Sequence, residues 1–144
     1  MPNTEWNKLN NLQLGRYAEL YAKMEFLSYG FDVYPAEVDD HGVDLLIKTE
    51  KGTYYEVQVK SVYKSKYAIL KNEYIDDESR RYLVCLMIFI DGQLPKMYLI
   101  PTSAWKTCTS KLFVDRPYEY GINVNDKNLA ELEIYRFDKM IKNI

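Results

Sequence analysis

The chain has 144 residues, 47% of them hydrophobic and 28% charged, with a formal net charge of −2 and a sequence pI of about 5.5. That balance describes one globular domain over residues 1–144, large enough to bury a core, and excludes a disordered tail, a polybasic membrane binder and a generic nucleic-acid coat. Two cysteines, Cys85 and Cys108, are too few for a disulfide framework, and His41 as the single histidine excludes a histidine metal cage or a His-based triad.

Residues 1–11 are polar and carry no apolar signal core, and the longest apolar run, Tyr82 to Ile90, falls well short of the roughly 20 residues of a spanning helix. No membrane partner and a cytoplasmic location are expected. A first helix is predicted over Leu9 to Tyr29, where Leu14, Ala18, Tyr21 or Ala22, Glu25 and Leu27 recur at helical spacing and Gly30 stands at the stop. Glu19 lies one position off that stripe. It either faces solvent or reaches across the buried edge to a site on the sheet. Phe31 to Tyr34 starts a first strand that Pro35 ends. The polar stretch Glu37 to Gly42 is a turn, in which Asp39 and Asp40 are turn formers; His41 is either a turn residue or a phosphate contact.

Two apolar-rich runs then follow with a glycine between them: Asp44-Leu45-Leu46-Ile47-Lys48 and Tyr54-Tyr55-Glu56-Val57-Gln58-Val59-Lys60. This is a hairpin signal. Alternation places Glu56, Gln58 and Lys60 on one face and Val57 and Val59 on the other. Leu45 and Ile47 belong with the valines, which sends Asp44 to the polar face. A two-residue turn would set Asp44 opposite Val59 and mix the faces. A three-residue connection, Glu50-Lys51-Gly52 with Gly52 left-handed, sets Asp44 opposite Gln58 and keeps both faces consistent.

Beyond the hairpin, Lys60, Lys64, Lys66 and Lys71 occur with no acid between them. The run either follows a phosphate backbone or is a solvated loop. Tyr67 to Leu70 is a short strand or the start of a helix, and Asp76 to Arg81 a polar or helical turn. Tyr82 to Ile90, apolar throughout, is predicted as a central strand covered on both faces, with Cys85 a buried thiol. Asp91-Gly92-Gln93 turns the chain into a strand over Lys96 to Ile100, ended by Pro101. A helical turn over Ser103 to Thr107, a strand over Tyr118 to Val124 and a C-terminal helix from Asn125 or Asp126 complete the reading, although Glu133 to Phe137 can also extend as strand. The expected fold is α/β: a mixed, mainly antiparallel sheet with a helix packed on it and a site at one end of the central hairpin.

The chemistry converges on Asp44, Gln58 and Lys60. A carboxylate and an amide oxygen can hold a hard divalent cation such as Mg²⁺, which keeps several waters, and the lysine beside them can orient an attacking water. These positions resemble the PD-(D/E)xK nuclease superfamily, in which an Asp at the start of one strand is followed, on the next, by an acid two residues before a Lys, with a Glu supplied by the preceding helix. Asp44, Gln58 and Lys60 match the strand positions, and Glu19 in Leu14-Gly15-Arg16-Tyr17-Ala18-Glu19 matches the helical one. Gln58 departs from the commonest form. The Gln-x-Lys version is similar to Mrr-like restriction endonucleases, intron-encoded homing endonucleases and Holliday junction resolvase-like proteins.

The resemblance covers residues 12 to 62 and fades beyond them. It implies a restriction-endonuclease-like core with flanking helices and a Mg²⁺- or Mn²⁺-dependent endonuclease acting on duplex or branched DNA, from a mobile or defence element. Asp44 and Gln58 would ligate the metal, Glu19 and Glu56 would bind it directly or through water, and Lys60 would position the nucleophile. Lys64, Lys66, Lys71 and His41 would then contact nucleic acid. One site cuts one strand, so a homodimer or higher homo-oligomer is expected for duplex cleavage. Two other readings stay open. A catalytically silent nuclease-like binding module suits the acidic pI and the neutral Gln58, and an RNA-directed nuclease keeps the site but changes the substrate.

Overall fold

The computed structural model describes residues 1–36, 42–64, 67–70, 75–107, 111–116 and 119–144. A five-stranded sheet in the order β1-β2-β3-β5-β6 is built from Asp32–Pro35, Leu45–Lys48, Tyr54–Tyr63, Tyr82–Phe89 and Lys96–Pro101. Its neighbours are antiparallel except β3 and β5, which run parallel. A second, three-stranded antiparallel sheet in the order β4-β8-β7 is built from Tyr67–Leu70, Glu119–Asn123 and Phe113–Arg116. Tyr67 to Leu70 therefore resolves as a strand, and β7 is an element the sequence pattern did not show. Pairing with β3 on one side and β6 on the other makes β5 an interior strand, fourth of the five. All eight of its residues are buried, as expected of a strand covered on both faces.

The two faces of β5 feed two cores. Leu83, Cys85, Met87 and Phe89 pack with Leu45, Ile47 and Val57 against the helix α1 (Asn11–Ser28), which contributes Leu14, Ala18, Ala22 and Phe26. The two alanines let the helix axis approach β3 closely. Tyr82, Val84, Leu86 and Ile88 pack with Val62 against the second sheet and against Trp105 of α2 (Ala104–Thr107). In α1 the buried stripe thus ends on Phe26; Leu27, predicted to lie on it, is exposed. Asn10 and Gln13 cap the helix reciprocally, at 2.8 and 2.9 Å. At its other end Gly30, with φ +88°, takes the left-handed position of a Schellman cap, its N–H donating to Leu27 O while that of Phe31 donates to Phe26 O. Among the described residues no helix is long and apolar enough to cross a membrane.

The C-terminal segment is not one helix. It divides into α3 (Leu129–Leu132), a 3-10 turn over Glu133–Tyr135, α4 (Phe137–Met140) and a last 3-10 turn over Ile141–Asn143. Arg136 interrupts it, with extended ψ of 137° and a β-bridge to Tyr98 at the edge of the sheet. Tertiary pairing with β6 overrides the helical periodicity that Leu129, Leu132 and Met140 suggest. Trp6, in a 3-10 turn over Trp6–Lys8, anchors the start of the chain: its indole N–H lies 3.0 Å from both Ile90 O and Gln93 O, across the β5–β6 turn.

Candidate active site

The β2–β3 hairpin adopts the register with a three-residue connection. Leu45 pairs with Val57 and Lys48 with Tyr54, so the residue before Leu45 comes opposite Gln58. Gly52 has φ +87°; its N–H donates to Thr49 O and the Thr49 N–H to Thr53 O, both at 2.9 Å. Only glycine accepts that backbone without strain, which is why Glu50-Lys51-Gly52 closes the hairpin in three residues rather than two. Val57 and Val59 pack on the α1 side; Gln58, Lys60 and Val62 alternate to the other.

At its open end the hairpin changes character. The Asp44 N–H donates to Val57 O at 2.9 Å. Continuing the register, Val59 would lie opposite Val43, but its N–H is taken by the Asp44 carboxylate, Oδ2 accepting at 2.7 Å. A side-chain oxygen thus stands where a strand carbonyl would, and the carboxylate is fixed beside the stretch of β3 that carries Gln58 and Lys60. Asp44, Gln58 and Lys60 are all half-buried. Asp44's negative charge also reaches the thiol of Cys85, on the strand next to β3. Burial chiefly, and that charge secondarily, push Cys85 up to about 12.

Tyr82, at the head of β5, binds this end together. Its hydroxyl lies 2.6 Å from Gly42 O and 2.7 Å from the amide end of Gln58 assigned as Oε1. Gly42 has φ +73°, and a Cβ there would meet Tyr82 Oη at 3.5 Å and the Gln58 amide at 3.6 Å, so this glycine lets the turn before Asp44 close down on the pair. Glu56, one further position along the Gln58 face, forms an ion pair with Arg80. Both partners are about a quarter exposed at the side chain. Arg80 is placed by a turn in which its N–H donates to Asp77 O at 3.1 Å.

Of the remaining candidates, Glu19 is half-buried on α1 beside Ala18, and α1 covers the Val57 face of the sheet, opposite the face from which Gln58 projects. Lys64, just past β3, is exposed with φ 59°. His41, Lys66, Lys71, Asp39, Asp40 and Cys108 lie outside the described residues. Tyr82 and Arg80 were passed over in the sequence, the first as one member of an apolar strand and the second as part of a polar turn. Tyr82 is the only hydroxyl-bearing residue of its run, but what it touches depends on the parallel β3–β5 pairing, in which Glu56 is its Cα partner.

The donor set suits a hard cation that brings much of its own shell. Asp44 offers a carboxylate oxygen and Gln58 an amide oxygen, while among the described residues no three of His, Cys, Asp and Glu gather as a metal cluster. Mg²⁺ is commonly held by one or two protein carboxylates together with waters and phosphate oxygens. These residues fit it on those terms and not as an all-protein cage.

No family profile and no curated protein sequence matches this chain. Solved structures do. The Holliday junction resolvase Hjc of the archaeal hyperthermophile Archaeoglobus fulgidus superposes with a TM-score of 0.61 at 12% sequence identity, covering 89% of this chain and 95% of that one. A bacterial homing endonuclease gives a TM-score of 0.61 at 18% identity, covering 93% of each chain. The fold is therefore the restriction-endonuclease-like α/β core, a mixed and mostly antiparallel sheet with flanking helices.

Proposed function

We propose that the chain is a metal-dependent endonuclease of the PD-(D/E)xK type in its Gln-x-Lys form, hydrolysing phosphodiester bonds in duplex or branched DNA. The observation that carries this reading is the Asp44 carboxylate seated on the Val59 N–H, beside Gln58 and Lys60, at the open end of the central hairpin. Its support from kinship is a fold shared with a Holliday junction resolvase and a homing endonuclease.

A Mg²⁺ or Mn²⁺ ion, when bound, supplies the Lewis acid that offsets charge building on the phosphate. Asp44 and Gln58 hold it by oxygen, and Glu56 adds charge through water, moderated by Arg80. Glu19, on the helix that covers the opposite face of the sheet, is left out of this set. Lys60 enters no ion pair among the described residues, so its ammonium is available to hold the attacking water and a phosphate oxygen in line, as a cation with three donors can. Lys64, Lys66, Lys71 and His41 extend the positive track along the backbone of the substrate. A duplex cut takes two such sites in a homodimer or larger assembly.

The test is nicking of matched duplex DNA, branched DNA and structured RNA with and without Mg²⁺ or Mn²⁺. Metal-dependent cutting of DNA that Asp44→Asn abolishes is the expected result. Cutting of RNA alone moves the substrate, and no cutting of any of the three makes the chain a silent nuclease-like binding module, a reading that the Glu56–Arg80 pair and the neutral Gln58 favour.

A further inference from the structure

We propose that Tyr82 is a positioning residue of this site, one whose hydroxyl sets which end of the Gln58 amide faces the cation. The inference rests on the reading of Asp44 and Gln58 as metal ligands. Its starting point is a count of protons. The Tyr82 oxygen lies 2.6 Å from the Gly42 carbonyl oxygen and 2.7 Å from the end of the Gln58 amide assigned as Oε1, an assignment that the proton count reverses. A phenol has one O–H to donate. A backbone carbonyl can only accept, so the Tyr82 proton goes to Gly42 O, and the Tyr82 oxygen is left as an acceptor towards Gln58. An amide oxygen placed there would set two acceptors against each other at 2.7 Å. The amide nitrogen placed there donates and satisfies all three groups. Side-chain amide oxygen and nitrogen are interchangeable in shape, so the hydrogen-bond network decides between them.

The consequence is directional. With Nε2 bound to Tyr82, Oε1 is turned to the other side of the amide and is the end left for a hard cation. Without the hydroxyl, Gln58 can present either end, and an –NH₂ group cannot ligate a cation. Tyr82 is buried, 4% exposed, so its ring is held by the core and its hydroxyl is fixed in place beside the amide. Gly42 completes the device: its missing side chain leaves the turn before Asp44 close enough for its carbonyl to take the proton. One hydroxyl thereby ties the turn that leads to Asp44 to the amide of Gln58. Outer-shell partners of this kind typically change metal affinity by about 10–100-fold when removed.

A carboxylate at position 58 presents an oxygen at either end, so although it competes with Gly42 O for the single Tyr82 proton, loss of the hydroxyl cannot turn a nitrogen to the cation, which supplies the control. The experiment titrates Mn²⁺ calorimetrically into the parent, Tyr82→Phe, Gln58→Glu, the double variant and Asp44→Asn, with thermal unfolding of each. It also records the ¹⁵N side-chain amide signals of metal-free parent and Tyr82→Phe, the Gln58 pair being assigned by its loss in Gln58→Glu. The expected result is about tenfold weaker Mn²⁺ binding on Tyr82→Phe in the Gln58 background, at most about twofold in the Gln58→Glu background, and a shifted, faster-exchanging Gln58 Nε2 pair in Tyr82→Phe. Equal losses in both backgrounds, or a Gln58 amide pair in the metal-free parent that exchanges as fast as solvent-exposed glutamines, overturn the inference; the parent spectrum does not depend on Tyr82→Phe folding. Parent binding that Asp44→Asn removes but Tyr82→Phe leaves intact also sinks Tyr82 and spares the site. No Mn²⁺ binding by the parent sinks the site itself, and the metal role of Tyr82 with it.

Discussion

The carboxylate of Asp44 takes the backbone N–H of Val59 at 2.7 Å, where the β2 strand has ceased to supply carbonyls. The contact has two jobs that can be separated chemically. It closes the ladder with a hydrogen bond, and it places a negative charge next to Gln58 and Lys60.

Asparagine keeps the first job and loses the second, since its Oδ1 can accept the same N–H. Asp44→Asn is expected to fold with an unfolding midpoint close to that of the parent and to lose metal-dependent nicking. Asp44→Ala leaves the Val59 N–H without its acceptor and costs about 1–3 kcal/mol in addition. Urea titration and a nicking assay on both variants check the separation; equal stability of the two would break it. Lys60→Ala is expected to abolish nicking as well.

Gln58→Glu adds a formal negative charge to the donor set. Activity is kept or Mg²⁺ binding without substrate is tightened, read by calorimetric titration at fixed pH. Weaker binding than the parent would count against Gln58 as a ligand.

Glu56 shares its charge with Arg80, and the pair is partly solvated, so its own contribution to stability is small. Arg80→Gln releases that charge toward the site. Mg²⁺ binding in the absence of DNA is expected to tighten a few-fold by the attraction of one unit of charge at partly solvated range, while Glu56→Gln in the same background reverses the gain. Unchanged affinity in both would remove Glu56 from the metal's surroundings.

Two buried acids set the alkaline limit of stability. Burial foremost, with the charge of Asp44, holds the Cys85 proton up to about 12 against an ordinary 9.0. Burial foremost, then the hydrogen bond to Asp76 and the charges of Asp115 and Asp76, raises Tyr120 above its ordinary 10.0. In both cases the folded protein binds the proton more tightly, so the unfolded chain releases it first. Stability is intact below pH 9 and falls as pH rises toward 12. Urea midpoints measured from pH 8 to 11 should decline, and the Cys85 thiol should resist alkylation until the chain unfolds; a rising midpoint would contradict the assignment.

The hairpin was legible because a two-residue turn would split Leu45, Ile47, Val57 and Val59 between the two faces whereas a three-residue connection keeps them together, and Gly52 marks the turn. The strand β5 was legible for a similar reason, being apolar at every position. What could not be read is what depends on distant pairing. The parallel alignment of β3 with β5 is fixed by the two cores that β5 joins, and no local pattern announces it. The partners of Glu56 and Gln58 were invisible for that reason. The break at Arg136 was missed because a bridge to Tyr98 outweighs local helical spacing. For Glu19, spacing places it at the margin of the buried stripe, and the structure puts its helix over the Val57 face, across the sheet from the Gln58 side chain.

The parallel pairing also fixes an order of events. Asp44, Gln58 and Lys60 lie within one hairpin whose strands meet across three residues, a local contact of the kind that forms within microseconds. Tyr82 reaches that hairpin only after the crossover between Tyr63 and β5 has closed, the slow, non-local step of such topologies. If Asp44 and Gln58 are the metal ligands proposed above, a chain with the hairpin formed and β5 not yet docked carries them without the Tyr82 hydroxyl beside Gln58. On that reading, Mn²⁺ uptake during refolding should lag hairpin formation and keep pace with the docking of β5 and the burial of Cys85.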